Sequence, residues 1–541
     1  MTPPRHPSSK TRPKGSEPTE VGARAFKRQR QRAQARNQRR ARRQSVRRSV
    51  GTWPTIDLRA WFANIPSAGR ICFLIAFLNA ACWSILIPPL QAPDEPDHVA
   101  YVQELAQANQ LPSVAAPEEF SAQEIEALNG LRQGLVRFKP QLPSLSSLGE
   151  QRKLESDLDA PAPSPGALNA GTAASEPPLF YALQTVPYTI GRAGNLLDSV
   201  QLMRLLSAVI GAIAALFIFF FIREVLSGSV WASTAGALAV ALLPLLGFIS
   251  GIVNPEVLLT ADTAALFYLL ARAFRRGMTV PIAAAIGVGT AVGFLTKLNF
   301  LGLVPGILCG LAILTARVRR EDPRRALRCL GAALGIGFAP VVLYTLVNML
   351  SGHSPLGEAG TIRDVLNGSL PRALSYTWQL YLPRLPGMHS YFPGILTTKH
   401  LWFDGFIGLY GWVDTLFPQW VYNAALIPAA AIALLATREL VLGRASLHSR
   451  LVEPLVYGIM AIGLMMIVGA TSFVSQTLDH TGPYWEPRYL LPLIPLFGLV
   501  LALGARTAGR RWGPVVAILI VGLFFAHDVF SQLQVIARYY A

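Results

Sequence analysis

Apolar runs of about 20 residues, rich in Ala, Leu, Gly and Ile, recur along this chain between polar or arginine-bearing breaks. A helix rises about 1.5 Å per residue, so such a run reaches across a hydrocarbon core of about 30 Å. The pattern predicts about eleven spans, near 69–89, 201–222, 230–249, 254–272, 280–296, 299–316, 329–350, 419–437, 452–473, 489–505 and 513–529. The expected fold is an all-α polytopic membrane protein over residues 67–541. Three longer polar stretches, 90–200, 351–418 and 474–488, become loops on one face. Within the first, a surface helix is expected from about Pro96 to Asn109, an amphipathic piece near 121–139, and a Pro/Ser/Ala-rich mobile part at 140–175. A second surface helix is expected from Glu176-Pro-Pro-Leu-Phe-Tyr onward.

Composition agrees: the 541 residues are 52% hydrophobic and 15% charged, too apolar for a soluble chain of this size. The net charge of +17 is mostly local. Residues 1–48 carry 16 Lys and Arg against two Glu, so residues 1–66 read as a disordered basic cytoplasmic tail. Contact with anionic lipid explains such a tail better than nucleic acid does. No cleavable signal peptide is visible. Arg272, Arg275, Arg276, the cluster Arg317 to Arg328, then Arg438, Arg444, Arg450, Arg506, Arg510 and Arg511 fall in alternate loops. By the positive-inside rule those loops are cytoplasmic and the three long loops lie outside. Cys72, Cys82, Cys309 and Cys329 sit in or beside spans without metal spacing and predict no disulfide. No Gly-rich phosphate loop and no nucleotide fingerprint occurs.

Chemistry gathers on the outer face. Directly after the first apolar run stands Pro93-Asp-Glu-Pro-Asp-His98. Asp94 and Glu95 are candidates for a general base, which needs a carboxylate within hydrogen-bond reach of a hydroxyl. Capping of a surface helix by Asp94, Glu95 and Asp97 fits the spacing equally well. Glu95 and His98 stand three apart, on one helical face, a spacing that can hold a divalent metal; no other cofactor is indicated. Arg204, Lys297 and Arg488 fall on the same side and suit a lipid phosphate, or snorkel to head groups. Asn254 and Glu256 open the fourth span, and Asp262 lies deeper in it. Trp402, Tyr410 and Trp412 beside Asp404 and Asp414 suit a sugar ring, or an interfacial aromatic belt.

Taken in order, Pro93-Asp-Glu-Pro-Asp-His98, Pro177-Pro-Leu-Phe-Tyr181, Arg204-Leu-Leu-Ser207, Val253-Asn-Pro-Glu256, Thr296-Lys297, the Trp402 to Trp412 segment and Arg488-Tyr-Leu-Leu-Pro492 resemble the bacterial membrane proteins grouped as domain-of-unknown-function 2142. The chain departs from that pattern at Glu256, where Asp is more usual, and at Glu486-Pro487, where Gln-Gly is more usual. The family is in turn similar to the C-type (GT-C) glycosyltransferases, polytopic enzymes that use polyprenyl-phosphate sugars. That resemblance implies a GT-C-like architecture and a hexosyl- or pentosyltransferase at the outer face of a bacterial plasma membrane. It implies inverting single displacement, with Asp94, or Glu95, as base. It implies Lys297, Arg204 and Arg488 at the donor phosphate. His98, Asn254, Glu256, Trp402, Tyr410, Trp412, Asp414 and Tyr489 would hold sugar or acceptor, a cell-envelope glycan or glycolipid. The competing expectations are a transporter or flippase for lipid-linked sugars, and a non-catalytic glycan-assembly protein.

Overall fold

The computed structural model describes residues 65–540 apart from 114–115, 117–118, 145–146, 160–167, 228, 351–369, 393–397 and 478–485. The basic tail, expected at 1–66, lies almost wholly outside the described residues. The remainder is one helical unit from Pro66 onward.

Helix α1 (Ser67–Leu86) leads into a loop and then α2 (Glu95–Ala108). Short helices α3 (Ala122–Gly130) and α4 (Leu148–Leu158) follow, each started by a serine, Ser121 or Ser147, that accepts a backbone N–H of its first turn. The expected mobile part therefore contains a capped helix. Next come α5 (Leu179–Gly191) and the 30-residue α6 (Leu196–Val225), whose start carries a reciprocal cap between Asn195 and Asp198. Helices α2, α3 and α5 occupy the places expected for surface helices.

Helix α6 is the hub, packed against α1, α5, α7 (Val230–Ala241) and α9 (Glu256–Arg276). Within their apolar windows, α6 and α9 are each 67% buried. Helices α12 (Pro323–Leu350) and α14 (Gln419–Leu442) are 11% and 6% buried, which puts their apolar sides at the periphery, where lipid can cover them. Between these groups run α10 (Val280–Thr296), α11 (Val304–Glu321), α13 (Leu370–Tyr381), α15 (Val452–Thr477), α16 (Ile494–Thr507) and α17 (Gly509–Tyr540).

Every one of the eleven apolar runs is helical, yet among the described residues only eight helices are long and apolar enough to cross a membrane, or nine counting a bent pair. The difference has local causes. Helix α10 has only 17 residues. Helix α11 ends in Arg319, Arg320 and Glu321, which shorten its apolar part. The run at 230–249 breaks by 62° into α7 and α8 (Pro244–Ser250), because Pro244 has no N–H and restricts the residue before it. The segment after 398 forms a π-helical turn (Lys399–Asp404), one α-turn (Gly405–Gly408) and a two-residue hairpin of β1 (Leu409–Tyr410) and β2 (Thr415–Leu416), paired antiparallel.

Close backbone approach fixes one crossing tightly. A 3-10 turn (Leu298–Gly302) follows α10, and a Cβ on Gly302 would stand 2.5 Å from the Gly463 carbonyl oxygen of α15. Only two glycines let the backbones meet there. That contact anchors the turn that begins beside Lys297.

Candidate functional site

The loop after α1 is organised by one buried ion pair. Arg204 of α6 donates to Glu95 from Nε at 2.8 Å and from Nη2 at 2.5 Å. Its remaining N–H groups reach the carbonyls of Ser84, Ile87 and Pro88. Glu95 also accepts the backbone N–H groups of Leu90 and Val253, both at 3.0 Å. Both side chains are 0% exposed. The pair thus ties the end of α1, the start of α2 and the turn before α9 to the hub helix. An ion pair this deep survives only because nearly every donor and acceptor is matched.

This corrects two expectations. Glu95 has neither a free oxygen nor solvent contact, and Arg204 has no face left for a lipid phosphate. The metal expectation for Glu95 and His98 fails for the same reason: both Glu95 oxygens are occupied, and His98 Nδ1 lies 3.0 Å from the Tyr181 hydroxyl. Among the described residues no group of three or more His, Cys, Asp or Glu could hold a metal ion.

Asp94, one residue earlier, is placed differently. It is the residue before the first turn of α2, yet its side chain caps nothing, and its backbone is left-handed (φ 61°). Such a conformation costs an L-residue about 1–2 kcal/mol, although Asp tolerates it better than most. The twist leaves the Asp94 side chain with a third of its surface exposed (33%), and its Oδ2 lies 2.5 Å from Arg488 Nη2. Asp97 is turned elsewhere and accepts the N–H and the hydroxyl of Thr172 at 2.9 and 2.6 Å. Capping of α2 is therefore the role of none of the three carboxylates.

Around Asp94 stands a compact charged cluster. Arg488 Nε is 2.8 Å from Glu486 Oε2. Lys297 Nζ is 2.8 Å from Glu256 and 3.1 Å from Glu176. The Tyr489 ring lies under both cations, 5.7 Å from Lys297 Nζ and 5.2 Å from the Arg488 guanidinium carbon. Helices α2, α5, α9, α10 and the turn before α16 each contribute a terminus, so the cluster sits at one end of the bundle. Lys297 is on the same side as Asp94. Arg488 Nη1 and Asn254 Nδ2 are buried donors that find no acceptor within the described residues. Donors in that state suit an anionic oxygen.

The charges settle one another. Burial raises the Asp94 carboxyl, but Arg488, with His98 and Lys297 adding to it, outweighs burial and leaves the group below its ordinary range. Asp94 is therefore ionised at neutral pH. Burial pushes His98 down to about 4, so its imidazole is neutral there. Glu486 is raised, chiefly by burial, with Arg488 opposing. Asp97 is pushed up to about 6 by burial against the two Thr172 donors. A narrow recess beside Arg488 is walled by Pro93, Phe248, Gly405, Gly411 and Glu486. The bend at Pro244 is what brings Phe248 to it.

The aromatic segment is engaged largely in packing within the protein. Tyr410 is 1% exposed, packs against Trp83 and Phe248, and bonds the Ile407 carbonyl and the Ser531 hydroxyl. Trp402 stacks on Tyr381 and donates to the Leu380 carbonyl. Trp412 packs on Phe138 and Arg137. Asp414 pairs with Arg538 at 3.2 Å and accepts the Phe138 N–H. All four make packing contacts: the hairpin turns Tyr410 inward and sets Trp412 and Asp414 against the first loop, while the π-helical turn lays Trp402 on α13. Their neighbours Gly405, Leu409, Gly411 and Val413 border the recess instead.

Three residues of the cluster escaped the sequence reading. Glu176 lay in a recognised stretch, but nothing in it marked a partner for Lys297. Tyr181 lay in the same stretch. Glu486 was noted as a departure from a pattern and not as the second partner of Arg488.

Residues 77–497 match the family described as "Predicted membrane protein (DUF2142)". The match covers most of the chain, and the chain belongs to that family. No curated protein matches it. With several apolar helices of spanning length, it is a membrane protein.

Proposed function

We propose that this protein is a glycosyltransferase of the bacterial plasma membrane. It moves a sugar from a polyprenyl-phosphate donor to a cell-envelope glycan or glycolipid at the extracytoplasmic face. The observation that carries the reading is Asp94: an ionised carboxylate in a left-handed backbone, partly open to solvent, with two cations within its cluster.

In this reading Asp94 accepts the proton of an acceptor hydroxyl. The freed oxygen bonds to the anomeric carbon as that carbon's bond to the phosphate oxygen breaks, with inversion. The polyprenyl phosphate leaves with the electron pair. Arg488 and Lys297 meet the charge growing on it, and the spare donors of Arg488 and Asn254 are the first available to it. Both cations hold carboxylates at rest, so the phosphate exchanges places with them rather than meeting bare charge. Glu95 and Arg204 fix the loop and touch no reactant. His98, Glu256 and Tyr489 border the cation pair and are the sugar or acceptor contacts that remain.

A lipid-linked sugar carrier is the second reading, favoured by the 62° break between α7 and α8, since broken helices line transporter sites. One experiment separates the two. Lipid-linked sugars and envelope glycans are measured by mass spectrometry in strains deleted for the gene, complemented with wild type, or complemented with Asp94→Asn at equal membrane level. The enzyme reading expects the Asp94→Asn strain to match the deletion, with one sugar missing and its donor accumulating. Restoration of the wild-type glycan by Asp94→Asn would overturn it in favour of a carrier or scaffold.

A further inference from the structure

Helices α6 and α9 begin beside the charged cluster and end together at the far end of the bundle, about 30 Å away for the 21 residues of α9. There they join α11 and the start of α15 around a recess of about 380 Å³. That is within the size range of small-ligand pockets, about 300–1,000 Å³. Four arginines line it: Arg275, Arg276, Arg317 and Arg450.

Two of these are spoken for. Glu224 grips Arg276 with both oxygens, at 2.7 and 2.6 Å. Glu453 holds Arg275 at 3.1 Å and also accepts the Tyr457 hydroxyl. The other two are not. Arg317 lies over the Phe274 ring at 5.4 Å, and among the described residues no carboxylate pairs with Arg317 or Arg450. An excess of arginine at this end follows from membrane topology alone. Topology does not explain why both lining acids are consumed by two arginines while two more, Arg317 and Arg450, line the same open recess.

We infer that this recess binds a phosphate group through Arg317 and Arg450, either the headgroup of an anionic phospholipid or a soluble phosphorylated molecule. Guanidinium groups bind phosphate through paired charge-assisted hydrogen bonds, and two unpaired arginines match one phosphate in charge. Ser227, whose backbone is left-handed (φ 55°), adds a hydroxyl at the rim. Basic pockets between helix ends at a membrane boundary hold acidic head groups in this way. The inference does not depend on the activity proposed above.

The test uses the full chain, purified and stripped of lipid. Native mass spectrometry follows titration with phosphatidylglycerol, with phosphatidylcholine as the zwitterionic control, and in a separate arm with inorganic pyrophosphate. One equivalent of phosphatidylglycerol, and none of phosphatidylcholine, assigns the site to lipid; one equivalent of pyrophosphate assigns it to a soluble phosphate. In either case the double variant Arg317→Gln, Arg450→Gln weakens binding at least about tenfold, since one charge-assisted bond is worth about that much. Arg511→Gln, outside the recess, binds as wild type. Should the double variant fail to fold, Arg450→Gln alone, on an exposed turn, carries the same expectation. Absence of a single bound equivalent in both arms overturns the inference. So does wild-type binding by the arginine variants, or an equal loss in Arg511→Gln.

Discussion

Arg488 grips Asp94 across 394 residues of sequence, Nη2 to Oδ2 at 2.5 Å. Burial alone would raise the Asp94 carboxyl, and the guanidinium chiefly opposes it. Replacing Arg488 by Gln therefore lets burial win, and the carboxyl rises. A base must be ionised to accept a proton, so the acid limb of the transfer-rate profile moves to higher pH in Arg488→Gln. Arg488→Lys, which keeps the charge, moves it less. An unmoved acid limb in Arg488→Gln would separate Asp94 from the chemistry.

The Glu95–Arg204 pair has a different consequence. Arg204→Met leaves a carboxylate at 0% exposure without its counter-charge and strands three carbonyls. Breaking a buried pair in this way costs about 3–5 kcal/mol. Thermal unfolding in detergent should show a large loss for Arg204→Met, while Asp94→Asn, at a partly exposed pair, unfolds close to wild type. Equal losses in the two variants would mean that Glu95 and Arg204 do not anchor the loop.

Glu124 of α3 is buried, and neither of its oxygens finds a partner among the described residues. Burial holds its carboxyl well above the ordinary range, with Asp97 adding to the shift. A carboxyl raised by folding contributes full stability below its unfolded pKa of about 4.3 and loses it as pH rises toward the folded value. Glu124→Gln is neutral at every pH. It should match wild type near pH 4, exceed it at neutral pH and above, and flatten that part of the stability profile. Identical profiles would place a partner on Glu124.

Gly302 and Gly463 bring two backbones together next to Lys297. Gly302→Ala has no flexible side chain to displace, only a carbonyl. The turn after Lys297 must shift, so Gly302→Ala should lower both the unfolding temperature and the transfer rate. Gly335→Ala, where an added Cβ meets nothing within 4 Å, should change neither.

Where one residue type decides the physics locally, the sequence was readable. Apolar runs of helical length became helices, and surface helices stand where the polar stretches near 96–109, 121–139 and after 176 predict them, whereas the break at Pro244 and the Ser147-capped helix inside the stretch expected to be mobile do not follow from that reading. What fails is anything decided by a distant partner. Glu95 and Asp94 are neighbours with the same charge. Only Arg204, 109 residues from Glu95, buries one of them, and only Arg488 leaves the other at the mouth. The Trp402 to Trp412 segment is ambiguous in sequence because aromatic residues beside acids suit a sugar ring and an interfacial aromatic belt equally, and neither pattern shows which of them pack inside the bundle. Burial of Tyr410 against Trp83 settles that for Tyr410, and it is a property of the packed bundle. The expected spans and the helices of full spanning length among the described residues differ in number where charge at a helix end, as in α11, shortens the apolar part.

The most direct test of the central claim is turnover by the purified chain in lipid nanodiscs. Polyprenyl-phosphate sugars are supplied one at a time with an envelope-glycan acceptor, and release of polyprenyl phosphate is measured alongside donor binding. The account expects one donor to be consumed by wild type. It expects Asp94→Asn to bind that donor while releasing polyprenyl phosphate about 10²–10⁴-fold more slowly, the usual contribution of a positioned base. Release by Asp94→Asn at the wild-type rate would contradict it.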